Sequence, residues 1–223
     1  MTTFPWLILG YKISRANKLI NSSKTIIRNI SKSMNQCGLF KDSEHSKLYS
    51  KYRPTYPTEL YDNIITYCKE TRSELKYALD VGCGSGQSSI PLKAHFEKVI
   101  GIDVSQTQID QAIALKNEGI TYKVGSGEDL SFLGNASVDL VTVAQALHWI
   151  DTGKFYPEVS RILTPGGALV VYGYGTCSID IQEAQNHFWE FYRETLNGYW
   201  DPRRQHIDNM MSDFELPFPE WKR

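Results

Sequence analysis

Long apolar runs are missing from this chain, and so is any excess of charge of one sign. No stretch is long enough to cross a bilayer, so no membrane association is expected. Lys and Arg number 24 against 25 for Asp and Glu, a formal net charge of −1. A balance this even provides no broad basic field for nucleic acid, and none is expected as a partner. Cysteine is scarce: Cys37, Cys68, Cys83 and Cys177 are scattered and form no Cys-x-x-Cys pair. That spacing excludes a zinc site and a disulfide frame, and predicts reduced thiols, no bound metal and a cytoplasmic location. Acids are absent altogether from the first 41 residues, which carry Lys12, Arg15, Lys18, Lys24, Arg28, Lys32 and Lys41. Ile13, Ala16, Ile20, Ile27 and Ile30 would share one face of a helix there. A basic, acid-free, amphipathic start is the pattern of a mitochondrial presequence, with a disordered extension as the other reading. The apolar run Phe4 to Leu9 comes before the charges, the reverse of a secretory signal.

What is present is one domain's worth of alternating strands and helices in 223 residues. Pro54 and Pro57 break a turn-like stretch, and Thr58 then opens a helix carrying Leu60, Ile64 and Cys68 on one face. Tyr77 to Val81 reads as a strand running into Gly82-Cys83-Gly84-Ser85-Gly86, with a helix to follow over Ile90, Leu92, Ala94 and Phe96. Lys98 to Asp103 is a second strand. Ser105 and Gln108 form a capping box for a helix that buries Ile109, Ala112 and Ile113. Ile120 to Val124 and Val138 to Val143 are further strands. Phe155, Val159, Ile162 and Leu163 lie at helical spacing, Pro165-Gly166-Gly167 ends that helix, and Ala168 to Tyr172 is the fifth strand.

This alternation predicts an α/β, Rossmann-like, doubly wound and mainly parallel sheet, with helices on both faces and ligands at the carboxyl ends of the strands. Four segments follow: a basic extension over 1–40, a helical lid over 41–75, the ligand-binding core over 76–175, and an aromatic-rich helical cap over 176–223. Aromatic residues make up 12% of the chain, 13 of them Tyr, which suits either a ring-lined cavity or a Tyr-rich surface.

The glycines at 82, 84 and 86 follow the first strand, where a turn without side chains lets a ligand approach the backbone. Their GxGxG spacing differs from the GxGxxG of dinucleotide-binding folds. Asp80 stands two residues ahead of them. Asp103 closes the second strand, where its carboxylate would accept two hydrogen bonds from the vicinal hydroxyls of a ribose, or else cap the next helix.

Carrying these features in order, the chain resembles the class I S-adenosylmethionine-dependent methyltransferases, specifically the small-molecule group with a type-11 methyltransferase domain. The matching runs are Leu79 to Gly86, Gly101 to Ser105, Gly127 to Phe132, Asp139 to Trp149 and Arg161 to Gly167. The stretch Tyr49 to Pro57 and the run Ala144-Gln145-Ala146-Leu147-His148-Trp149 are similar to the branch containing the trans-aconitate methyltransferases. The resemblance implies S-adenosyl-L-methionine as cofactor and a small-molecule acceptor, with an organic acid's oxygen foremost. It implies that Gly82, Cys83, Gly84 and Gly86 pass the methionine part, with Asp80 near its amino group. Asp103 would hold the ribose, with Val104, Gly127 and Glu128 around the adenine. Gln145 would present backbone groups, and Tyr52 and Arg53 would close over the cofactor, with the Arg53 guanidinium suited to a carboxylate. Trp149 and Tyr174 would face the substrate. His148 is the candidate base for a hydroxyl or amine acceptor, whereas a carboxylate acceptor needs none.

Members of this class end in two more strands forming an antiparallel edge, and no such pair is evident after Tyr174. The expectation is therefore a sheet without its last two strands, and with it an alternative function: a truncated form that keeps the fold with impaired catalysis. A nicotinamide oxidoreductase is the remaining reading. A monomer or homodimer is expected.

Overall fold

The computed structural model describes residues 54–214, together with the backbone of Thr2–Thr3, Trp6–Lys12 and Trp221–Lys222. The helical face drawn over Ile13 to Ile30 lies outside the described residues, as do Tyr52 and Arg53.

The centre of the molecule is a seven-stranded sheet whose strands lie in the order Ile120–Val124, Lys98–Asp103, Tyr77–Val81, Val138–Ala144, Leu163–Tyr174, Trp6–Lys12 and Trp221–Lys222. Its parallel part comprises β3 (Tyr77–Val81), β4 (Lys98–Asp103), β5 (Ile120–Val124), β6 (Val138–Ala144) and β7 (Leu163–Tyr174). Helices α1 (Thr58–Lys69), α2 (Ser89–Leu92), α3 (Gln106–Ala114) and α4 (Thr152–Ile162) accompany these strands.

Side-chain period divides the buried apolar residues of the strands between two cores. Leu79, Val81, Val141, Val143, Leu169 and Val171 pack on one face with Phe155, Val159 and Ile162 of α4. Ala78, Leu140, Ala168, Val170 and Tyr172 alternate onto the other face, against Leu60, Tyr61, Ile64, Ile65 and Cys68 of α1. β6 is buried along its whole length, as a central parallel strand should be. Burial of this kind contributes roughly 2 kcal/mol per large apolar side chain.

Three local expectations are revised. The helix after the glycine loop is confined to Ser89–Leu92 and does not reach Phe96. Pro57, not Thr58, occupies the N-cap of α1 and makes no side-chain cap bond. Leu163 leaves α4 directly into β7, so Pro165-Gly166-Gly167 lies within the strand, beside a register shift opposite Val138 and Leu140.

The edge of the sheet is built unexpectedly. After Tyr174 the described residues hold only the two-residue strands β8 (Ser178–Ile179) and β9 (Trp221–Lys222). The antiparallel edge is nevertheless present, because β2 (Trp6–Lys12) pairs with β7 from Trp6↔Tyr174 to Lys12↔Ala168, and β9 pairs with β2. β1 (Thr2–Thr3) pairs with β8. Part of the apolar amino-terminal run is thus a sheet strand that satisfies the open ladder of β7.

The carboxyl-terminal segment contains α5 (Gln182–Glu190), a π-helical turn over Phe191–Thr195 and α6 (Arg204–Asp208). Its rings pack on one another: Phe188 stacks on Tyr192 at 5.8 Å, and Tyr192 lies 5.0 Å from Trp200. The Arg204 guanidinium sits over both Tyr192 and Trp200.

Candidate active site

At the carboxyl ends of β3, β4 and β6 the sheet opens into a cleft of about 890 Å³, including its open mouth. Its position follows from the topology, since neighbouring crossovers leave from opposite faces there.

The glycine turn forms one wall. Gly82, Gly84 and Gly86 have φ of 70°, 55° and 90°, a left-handed run that L side chains resist. Gly82 is also packed closely: a Cβ built there would stand 2.4 Å from the Cβ of Ala146. Gly82 and Cys83 donate their N–H groups to the Ile102 carbonyl at 2.8 and 3.0 Å, which ties the turn to the end of β4. Gly84 donates to Asp103 Oδ2 at 2.9 Å, and Ser105 donates to Asp103 Oδ1, also at 2.9 Å. Asp103 therefore stands at the cleft wall with its carboxylate oriented by two backbone donors.

The opposite wall is the loop after β5. Gly125, Ser126, Gly127 and Glu128 line it. Glu128 accepts the Asp151 N–H at 2.9 Å, joining the loop to the start of α4. Arg161 secures the same loop from behind, pairing with Glu158 at 2.7 Å and donating to the Leu130 and Leu133 carbonyls. Ala144, Gln145, Ala146, Trp149 and Ile150 close the end. Gln145 holds φ at 54°, uncommon for a non-glycine residue, and donates its Nε2 to the Tyr174 carbonyl at 2.6 Å.

The structure brings together Gly82, Gly84, Asp103, Val104, Gly127, Glu128, Gln145 and Trp149 in this one cleft. Other expected site residues stand elsewhere. Asp80 is fully buried beneath the turn and accepts hydroxyl hydrogen bonds from Ser88, Ser89 and Thr142 at 2.5, 2.6 and 2.9 Å. Burial pushes its carboxyl up, and the three hydroxyls oppose that shift. Its place is to brace the turn against β6. The Cys83 thiol is buried too, and burial pushes it well up, so it stays protonated. Gly86 faces the Tyr122 ring. Tyr174 borders a smaller cavity with Gln145, Ile207, Met210 and Met211.

His148 is 7% exposed and lies outside the cleft lining. It sits in the single turn Leu147–Trp149, with its ring 4.8 Å from that of Trp149. Burial, with smaller contributions from His206, Arg203 and Arg204, pushes its pKa down to about 4. It is therefore neutral at pH 7. Its folded pKa lies below the unfolded value of about 6.5, so the unfolded chain takes up the proton first. Stability from this group is complete above about pH 6.5 and is lost as pH falls toward 4, to about 3 kcal/mol. Thermal unfolding of the wild type and of His148→Gln across that range should show a flatter acid decline in the variant.

Gly125 and Ile150 line the cleft without having been singled out in the sequence. Gly125 directly follows β5, so the rule placing ligands at carboxyl strand ends would have found it. Ile150 carries no local signal. Among the described residues no group of three or more His, Cys, Asp or Glu is placed to hold a metal, and no helix is long and apolar enough to cross a membrane.

Residues 79–171, the strands and turns just described, match a family described as a methyltransferase domain. A candidate methyltransferase of Dictyostelium discoideum is 39% identical over 180 residues, covering 80% of this chain and 66% of that protein. A candidate S-adenosylmethionine-dependent methyltransferase of Saccharomyces cerevisiae is 34% identical, covering 64% of this chain and 50% of that protein. The chain thus spans between half and two thirds of these relatives' lengths. A solved candidate type II methyltransferase from Anaeromyxobacter dehalogenans superimposes with a TM-score of 0.65 at 35% identity, covering 77% of this chain and 70% of that one. With a parallel sheet, a left-handed glycine turn and an acid one strand over, in a chain this similar to that structure, the protein belongs to the methyltransferase-domain family.

Proposed function

We propose that this chain binds S-adenosyl-L-methionine in the cleft and transfers its methyl group to a small-molecule acceptor, specifically a carboxylate oxygen. The observation that carries the reading is Asp103, held at the cleft wall with its carboxylate set by Gly84 and Ser105. The residues suit this cofactor. Gly82 holds a positive φ and packs so closely on Ala146 that a side chain there would have no room, which keeps the turn at the cleft wall free of side chains at that position. A carboxylate at this position suits the hydroxyl donors of a ribose.

Asp103 would hold the sugar, the backbone of Gly82 and Gly84 the amino-acid end, and Val104, Gly127 and Glu128 the base. When bound, S-adenosylmethionine supplies a sulfonium-activated methyl group. The protein's part is to align the acceptor oxygen with the methyl carbon and sulfur and to exclude water. Held by Asp103 and the Gly82 and Gly84 backbone, the cofactor would supply the methyl carbon to the acceptor oxygen, and its sulfur would keep the electron pair of the broken carbon–sulfur bond.

The carboxylate preference rests on which groups line the cleft. Asp103 and Glu128 are its titratable side chains among the described residues, and both are engaged by backbone N–H groups. His148 stands outside it with its basicity suppressed. An acceptor already ionised at neutral pH needs no base.

The test is calorimetric titration with S-adenosylhomocysteine, followed by a screen of organic acids, alcohols and amines with labelled cofactor. Binding is expected, with transfer to an acid at a rate that stays flat from about pH 6 to pH 9, well above carboxylate pKa values. A rate rising with pH on an alcohol would overturn the carboxylate reading. Binding with no transfer to any acceptor would favour a non-catalytic form of the fold.

A further inference from the structure

We infer that Gln108 is a second polar anchor for the cofactor's ribose, placed beside Asp103, a role that rests on the cofactor reading above. The capping box at the start of α3 is only half made. Ser105 at the N-cap of α3 accepts the Gln108 N–H at 3.4 Å, as a box requires. The reciprocal bond would run from the Ser105 N–H to the Gln108 side chain. That N–H is instead donated to Asp103 Oδ1 at 2.9 Å.

The Gln108 side chain is thereby released from its local duty. It is 3% exposed, lines the cleft, and its Oε1 has no hydrogen-bond partner. A Cβ placed on Gly84 would stand 3.8 Å from that oxygen, so it lies at the same turn whose N–H binds Asp103 Oδ2. A buried acceptor left without a donor is unfavourable, and Gln108 is one of the residues that line the cleft. Asp103 and Gln108 together present two acceptors from adjoining positions, as a diol presents two donors. The ligand class is therefore a nucleoside with an intact sugar, whose second hydroxyl donates to Gln108 Oε1.

The experiment compares the wild type with Gln108→Met, which keeps side-chain length and removes the acceptor. S-adenosylhomocysteine and its 2′-deoxy and 3′-deoxy analogues are titrated into each. The wild type should bind the parent about tenfold more tightly than the variant does. One of the two deoxy analogues should bind the wild type weakly and lose nothing further in the variant. The unliganded melting temperature of the variant should equal or exceed that of the wild type, because an unpaired buried acceptor has gone. A purely structural glutamine would lower it. Parent binding unchanged in the variant, or a sugar-deletion penalty of the same size in both proteins, overturns the role of Gln108 and leaves the cofactor reading intact. Absence of binding to the wild type overturns both.

Discussion

Replacing Asp103 with Ala is expected to weaken S-adenosylhomocysteine binding by more than about a hundredfold, while the unliganded protein stays folded. A hydrogen bond to a charged group contributes about 1.5–3 kcal/mol, and this carboxylate is proposed to accept one from the sugar. It also sets the glycine turn, since Gly84 donates to Oδ2 and Ser105 to Oδ1. The loss therefore includes ordering of the turn as well as direct contact. The folded state suffers less, because both freed N–H groups stand at a cleft that water enters. Asp103→Asn should fall between wild type and Ala, since an amide keeps one acceptor and replaces the other with a donor. Calorimetry gives the affinities and thermal unfolding the stability. Near-wild-type affinity in the Ala variant would send the nucleoside somewhere other than this cleft.

The opposite pattern is expected for Asp139, at the amino end of β6. Its carboxylate accepts the Lys76 and Tyr77 N–H groups at 2.8 and 3.0 Å and the Thr164 hydroxyl at 3.0 Å, and it pairs with Arg72 at 2.8 Å. Three parallel strands, β3, β6 and β7, are thus gathered at their starts by one buried acid. Asp139→Ala leaves these donors without a partner and Arg72 without its counter-charge. The expected loss is about 3–5 kcal/mol, which lowers the melting temperature by roughly 10 °C or more. Arg72→Ala should lose less, because Arg72 is a quarter exposed and its site can rehydrate. Ligand affinity of the folded Asp139 variant should stay near wild type, since the cleft lies at the other ends of these strands. A melting temperature within a degree or two of wild type would show that solvent replaces the whole cluster.

The two aspartates separate what stabilises this protein from what it uses, and they differ in how visible they were. Asp103 could be identified because it closes a strand directly after a glycine turn on the neighbouring one. Asp139 sits inside an apolar strand, and nothing nearby reveals the arginine and threonine that meet it. Asp80 was visible as a conspicuous acid before the turn, yet its work is to collect hydroxyls under the loop. Its orientation is set by Ser88, Ser89 and Thr142, which lie outside its immediate neighbours in the chain.

What the amino-acid sequence determined unaided is the set of features whose cause lies within a few residues. The strand cores of the parallel sheet follow from short apolar runs, the turn at Gly82 to Gly86 from positions that tolerate positive φ, and the start of α3 from the Ser105 cap. Tertiary structure decided whatever depends on residues distant in the chain. The antiparallel edge comes from Trp6–Lys12, more than 150 residues before β7 in the chain, because an open ladder pairs with any strand of suitable register. His148 loses its basicity because its surroundings bury it. Gln108 turns from cap to ligand partner because Asp103 takes the N–H it would have met. In each case a local rule proposed a partner, and a non-local neighbour supplied a different one.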